Sequence, residues 1–249
     1  MAAQSVEIIG HRGASIAAPE NTLAAINLAW KWNADAVEID VHLTRDRQVV
    51  AIHDDSLLRT SQADVLIKDL SLAELQTYDV GQWKFPQFAG ERVPTLDEVI
   101  ATIPRGKRLY VELKCEADVL EPLAEVLASV QEHPESVVLI GFDPELMPAA
   151  KRRFPAHKVL QVVEQTLSAA NVWTPTIDEI VAHCVRHGLD GADLSNTLGV
   201  DRAAVDKLKS AGLSVCIWTV NKIEDARRLI DAGVDSLTTD DPRLLSSVR

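Results

Sequence analysis

Short runs of β-branched and other apolar residues alternate along the chain with stretches whose apolar residues recur at helical spacing. The strand candidates are residues 6–10, 37–41, 109–113, 137–141, 159–163, 191–194, 215–219 and 236–239. Between them, Ile177, Ile180, Val181, Cys184 and Val185 fall on one helical face, as do Val119, Leu120, Leu123, Val126, Leu127 and Val130. Pro122 is tolerable there only in a first turn. Ser71 with Glu74, Thr95 with Glu98, and Thr176 with Glu179 are three capping boxes that mark helix starts. The similar stretches 94–100 and 175–181 read as one solution to the helix-start problem used twice.

Eight strands, each followed by a helix or crossover, predict an α/β fold of the closed (β/α)₈ barrel type. A doubly wound open sheet is the alternative, but it usually carries a glycine-rich first turn. This chain reads Gly10-His11-Arg12-Gly13 instead. No Pro-, Gly- or Ser-rich linker divides it, so one domain over 1–249 is expected. The rhythm breaks at 55–93, after an extra short strand at 49–53. Such an insertion following the second barrel strand would sit over the barrel mouth as a cap or lip.

Composition changes this picture little. Of 249 residues, 47% are hydrophobic and 25% charged, which is ordinary globular usage. Charge changes it more. A formal net charge of −12 argues against a nucleic-acid partner and against adhesion to anionic lipid. Any anionic ligand must be met by local positive charge. Cys115, Cys184 and Cys216 fit neither a disulfide framework nor a zinc site and read as buried thiols. With no basic-then-apolar leader and no apolar run near the ~20 residues that span a bilayer, a cytoplasmic location without stable membrane association is expected.

The candidate chemistry sits at strand ends. Glu38 and Asp40 are i and i+2 on one strand, so they share a face, and in a barrel that face is the interior. Glu112 and Lys114 repeat the spacing on the next strand. Three carboxylates in one barrel mouth are costly without cations. A hard divalent cation, Mg²⁺ or Ca²⁺, held by Glu38, Asp40 and Glu112 solves this. An internal network in which Arg12 and Lys114 neutralise the acids is the alternative. Of seven histidines, His133 and His157 read as surface residues beside prolines, and His183 and His187 as polar-face residues of one helix. His42 shares the face of Glu38 and Asp40 beyond the expected strand end; it is either a fourth ligand or, as expected here, a solvated side chain. His11 and His53 each terminate an apolar run, and two such histidines beside a cation site suit acid–base cleavage of a phosphodiester.

His11-Arg12-Gly13, Pro19-Glu20-Asn21-Thr22, Val37-Glu38-Ile39-Asp40-Val41, His53-Asp54, Glu112-Leu113-Lys114, Trp218-Thr219-Val220-Asn221 and Thr239-Asp240-Asp241-Pro242 follow one another from residue 8 to 242. This ordered set resembles the glycerophosphodiester phosphodiesterase family. The resemblance implies a TIM-barrel hydrolase that cuts a glycerophosphodiester substrate into glycerol 3-phosphate and an alcohol. It implies His11 and His53 as the acid–base pair and Glu38, Asp40 and Glu112 as cation ligands. Arg12 and Lys114 would contact the phosphate. Trp218 would be an aromatic wall for the glycerol or alcohol, or else a core tryptophan at a strand end. Glu20 and Asn21 read as a helix entry. The chain departs from the family pattern in 61–65, which lacks glycine, and at Ser56; both lie in the insertion. A hydrolase of lysophospholipids, with Trp83, Phe85 and Phe88 as an apolar lip, is the competing enzyme. A non-catalytic barrel that binds phosphorylated metabolites is the competing class, and it would need no proton-moving histidines.

Overall fold

The computed structural model describes residues 6–248. In chain order its elements begin with β1 (Glu7–His11), α1 (Leu23–Lys31), β2 (Ala36–Leu43) and β3 (Val49–Ala51). They continue with α2 (Leu58–Ser61), α3 (Leu72–Leu75), α4 (Leu96–Ile100), β4 (Arg108–Leu113), α5 (Leu120–Leu127), β5 (Val137–Gly141), α6 (Leu146–Arg153) and β6 (Lys158–Val163). Next come a small hairpin, β7 (Thr166–Leu167) and β8 (Trp173–Thr174), then α7 (Ile177–His187), β9 (Gly191–Ser195) and α8 (Arg202–Ser210). The chain finishes with β10 (Ser214–Trp218), α9 (Ile223–Ala232), β11 (Ser236–Thr239) and α10 (Pro242–Ser246).

Among the described residues, eight strands pair in parallel in the order β1, β11, β10, β9, β6, β5, β4, β2, and β1 pairs with β2 to close the ring. The expected (β/α)₈ barrel is therefore present. Strand alternation explains how one sequence serves both walls. Val37, Ile39, Val41, Leu109, Val111 and Leu139 point outward and are buried under the helices. Ile9, Tyr110, Val138, Ile140, Leu160, Val162 and Cys216 point inward and fill the barrel. Toward the strand ends that inner filling turns polar, with Glu38, Asp40, Glu112 and Asp193 all buried. Register then decides which of these meet: His11 lies opposite Glu38, and Asp40 lies opposite Glu112.

All three capping boxes form, at Ser71, Thr95 and Thr176. Two helical readings change. The 119–130 pattern is α5 flanked by 3₁₀ turns rather than one helix. Val185 is 56% exposed, because the apolar stripe of α7 ends at Cys184. Cys184 and Cys216 are buried and Cys115 is half-buried, all as free thiols. Burial pushes the Cys115 thiol up to about 12.

The extra strand is shorter than expected and antiparallel, pairing Val41, His42 and Leu43 with Ala51, Val50 and Val49. The insertion after it has its own apolar nucleus, including Val50, Ile52, Leu57, Ile67, Leu75 and Val93. Among the described residues no helix is long and apolar enough to cross a membrane.

Candidate active site

The β1–α1 loop enters the site through a tight backbone turn. Gly13 has φ +85, and a Cβ there would lie 2.5 Å from the Ala25 carbonyl carbon, so only glycine fits. Arg12 also has a positive φ of 53, which aims its main-chain N–H at Glu38 Oε2, 2.9 Å away. Strained backbone of this kind concentrates at working sites.

The three carboxylates predicted from strand spacing do come together. One ligand atom from each of Glu38, Asp40 and Glu112 lies within 4.8 Å of the others. Lys114 Nζ is 2.6 Å from Glu112 Oε1 and 3.4 Å from Asp40 Oδ1. Arg12 Nε is 3.1 Å from Asp40 Oδ2. These are ion-pair distances without hydrogen-bond alignment, since Arg12 Nε, Asp40 Oδ1 and Glu112 Oε1 all stay unbonded and buried. Asp40 is the best supported of the three. Burial would raise its pKa, but Arg12, Lys114, His53 and the Asn21 amide together hold it below the ordinary value. Glu38 is driven well above the usual range by burial and by the charges of Asp40 and Glu112. Burial and Asp40 push Glu112 up as well.

These details bear on the choice between a cation site and an internal salt bridge. Two cations face three acids, and Arg12 is shared with a fourth carboxylate, Glu20, at 2.8 Å. Glu38 Oε1 remains buried with no partner. Hard carboxylate oxygens grouped at a barrel mouth and left without hydrogen-bond partners fit a hard divalent cation, and the residues present fit that group.

The histidines flank this cluster with a common geometry. His11 Nδ1 lies 2.7 Å from Asp240 Oδ1, and His53 Nδ1 lies 2.7 Å from Asp54 Oδ1. Asp240 is in turn bonded by the Asn221 amide at 2.6 Å and the Ser15 hydroxyl at 3.1 Å. Although burial would raise the Asp240 pKa, bonding to His11 keeps it low. Asp54 is likewise held down, to about 2, because bonds from Arg59 and His53 outweigh its burial. Arg59 also forks onto both oxygens of Glu20. One chain of charge therefore links Arg12, Glu20, Arg59, Asp54 and His53. It fastens the insertion to the barrel mouth, where Lys84 joins His11, Arg12 and Asp240 around a cavity of about 260 Å³.

Several side chains differ from the sequence reading. Glu20 and Asn21 do more than open a helix: Asn21 donates to Asp40 Oδ2 at 2.9 Å and accepts from the Asp40 main chain at 3.1 Å. His42 lies within β2 rather than past its end and is half-buried, with Nε2 3.0 Å from the His53 carbonyl. Burial lowers its pKa. His157 is buried, not at the surface, and its Nδ1 bonds the Val137 carbonyl at 3.1 Å. His183 is half-buried against Gln161. Trp218 is half-buried at the end of β10, its indole N–H bonded to the Asp193 carbonyl at 3.2 Å. Its ring meets Phe142 edge-on at 5.5 Å, and Lys114 Nζ lies 5.4 Å from the Phe142 ring. Phe142 and Asp240 escaped the sequence reading as site residues, although Asp240 stands in one of the quoted motifs. Asp193 gave no signal beyond an acid inside an apolar run.

Asp193 yields a stability prediction. Burial, with the charge of Glu112, lifts its pKa to about 8. Between its usual value near 4 and about 8, the folded chain holds a proton that the unfolded chain releases, so this group's contribution weakens as pH rises through that window. Asp193→Asn should therefore leave thermal stability unchanged near pH 4 in EDTA. At pH 9 it should raise stability by a few kcal/mol, about 5 °C or more in Tm. Equal Tm shifts at both pH values in scanning calorimetry would contradict this.

Comparison with known proteins gives the family. Residues 11–244 match the model of the glycerophosphoryl diester phosphodiesterase family. A glycerophosphodiester phosphodiesterase of Caldanaerobacter subterraneus is 32% identical, over 96% of this chain and 95% of that protein. The solved structure of an Oleispira antarctica phosphodiesterase in complex with the product sn-glycerol-3-phosphate superposes with a TM-score of 0.83 at 32% identity, covering 97% of this chain and 95% of that one. A human protein named lysophospholipase D is 27% identical over 95% of this chain and 84% of its own length. This chain belongs to the glycerophosphoryl diester phosphodiesterase family and is an enzyme of phosphoric diester hydrolysis.

Proposed function

We propose that the protein hydrolyses glycerophosphodiesters to sn-glycerol-3-phosphate and an alcohol, with His11 and His53 moving the protons. The observation that carries this reading is the pair of histidines, each bonded through Nδ1 to an aspartate at 2.7 Å, beside a buried carboxylate cluster. A carboxylate only accepts, so each Nδ1 carries the proton and each Nε2 is left to exchange one with substrate. One histidine takes the proton of the attacking oxygen, whether water or the substrate's own hydroxyl. The other gives a proton to the departing alkoxide. Arg12 and Lys114 lie against the same carboxylates and meet negative charge as it grows on the phosphoryl oxygens. Phe142 and Trp218 form an apolar wall beside Lys114 for the carbon skeleton of the glycerol or alcohol.

Glu38, Asp40 and Glu112 would hold Mg²⁺ or Ca²⁺. Such an ion, when bound, supplies Lewis-acid stabilisation of the phosphoryl group. Asn21 and Arg12 keep Asp40 ionised for that purpose.

The test is release of sn-glycerol-3-phosphate from glycerophosphocholine by purified protein. Treatment with EDTA should abolish at least ~99% of the rate, and Mg²⁺ or Ca²⁺ should restore it, as expected where a metal carries several kcal/mol of catalysis. A rate indifferent to chelation and add-back would remove the cation from the reading. Exposed Trp83 (36%) and Phe85 (46%) on the insertion favour lysophospholipids as second substrates. Turnover of lysophospholipid with none of the soluble diester would make that the primary activity.

A further inference from the structure

His53 does not sit on a barrel strand. It follows β3 in a bend, and the aspartate that orients its ring is its own neighbour in sequence, so ring and carboxylate would shift together if that bend moved. The barrel side of this contact is β2, where Ile52 donates to the Asp40 carbonyl at 2.9 Å. Among the described residues, one side chain on a barrel strand hydrogen-bonds the His53 main chain: the His42 ring, with Nε2 3.0 Å from the His53 carbonyl. A carbonyl only accepts, so Nε2 carries the proton and donates. His42 can do this because β2 runs on to Leu43, held by β3 through the His42–Val50 pair, and because alternation turns position 42 to the face of Glu38 and Asp40. Two of the three clustered carboxylates, Glu38 and Asp40, and the clamp on His53 therefore belong to one strand.

We propose that His42 is a positioning residue for the acid–base step, its ring N–H fixing the His53 main chain relative to the carboxylate cluster. This rests on the reading in which His53 moves a proton. A displacement of about 1 Å at a reacting group can cost on the order of a hundredfold in rate. The clamp acts on the rate of the chemical step and not on substrate affinity, and it has no effect once the His53 ring is gone.

Three substitutions separate this role from simple packing. Glutamine places an amide nitrogen near the position of His42 Nε2, asparagine places one near Nδ1, and phenylalanine fills the space without a donor. In steady-state hydrolysis of glycerophosphocholine, His42→Phe and His42→Asn should lower kcat about 10- to 100-fold, with KM within about threefold. His42→Gln should recover kcat to within about threefold of the parent. In a His53→Ala background, His42→Phe should change the residual rate by less than about twofold, because the two residues act as a unit. If His42→Phe does not fold, the glutamine and asparagine variants carry the comparison. Parental kcat in His42→Phe, a glutamine variant as slow as the asparagine one, or an undiminished His42→Phe effect without His53 would each overturn the positioning role. Near-parental turnover in His53→Ala alone would overturn the acid–base reading beneath it.

Discussion

His11→Ala and His53→Ala should each lower kcat about a thousandfold, within the 10²–10⁴ that a positioned proton donor or acceptor supplies. KM should stay within a few-fold, since neither ring nitrogen is proposed to carry substrate affinity. Thermal stability should change little. The side chains are 20% and 32% exposed, so their removal opens no sealed cavity. Asp240→Asn supplies the sharper version of the test. The asparagine keeps the shape, but its amide can donate to His11 Nδ1, favouring the tautomer with the proton on Nε2. The histidine is then present and wrongly protonated. A fall in kcat of a hundredfold or more with Tm preserved would assign the parent's resting proton to Nδ1 and the exchange with substrate to Nε2. Rates within tenfold of the parent in the alanine variants, read by a coupled glycerol-3-phosphate assay, would end the two-histidine mechanism.

Glu38→Gln should inactivate the enzyme and stabilise the cation-free protein at the same time. The carboxylate is buried beside two like charges, and its Oε1 has no partner. A glutamine keeps an oxygen for the Arg12 main-chain N–H, removes one of three repelling charges and offers its amide to Asp40 or Glu112. Relief of unpaired buried charge is commonly worth about 1–4 kcal/mol, so Tm in EDTA should rise by several degrees. In the parent, saturating Mg²⁺ or Ca²⁺ should raise Tm, because the ion binds the folded chain alone. In the variant that increment should collapse, and no concentration of either ion should restore more than ~0.1% of the activity. Equal cation responses in calorimetry would show that Glu38 holds no metal. Opposite signs for activity and stability would mark the cluster as strain retained for function.

The barrel and the core of the site were legible in the sequence for specific reasons. Strands buried on both walls leave short apolar runs, and a carboxylate pair at i and i+2 inside such a run has nowhere to face but inward. Capping boxes are local, so Ser71, Thr95 and Thr176 could be read without any fold. What failed was what depends on partners remote in sequence. The end of β2 has no local signal because its last three residues are held by β3, so spacing alone puts His42 beyond the strand. His157 follows a proline turn and precedes Lys158, yet the Val137 carbonyl 20 residues away accepts its ring N–H in the core. Asn21 looked like helix-entry chemistry because its bonds to Asp40 form only when the first loop folds over the second strand. Phe142 follows a glycine at a strand end, and nothing local sets it against Trp218.

His11 and the aspartate that orients it are 229 residues apart in sequence, yet adjacent strands bring them together. Every other strand could be in place, with the carboxylate cluster fully formed, and His11 would still lack the partner that sets its proton. Competence for chemistry is therefore conferred by the seam between first and last strands. Asp240 lies just past β11, so the last strand supplies a contact that the carboxylate cluster does not need. Turnover in this protein doubles as a readout that the ring has closed.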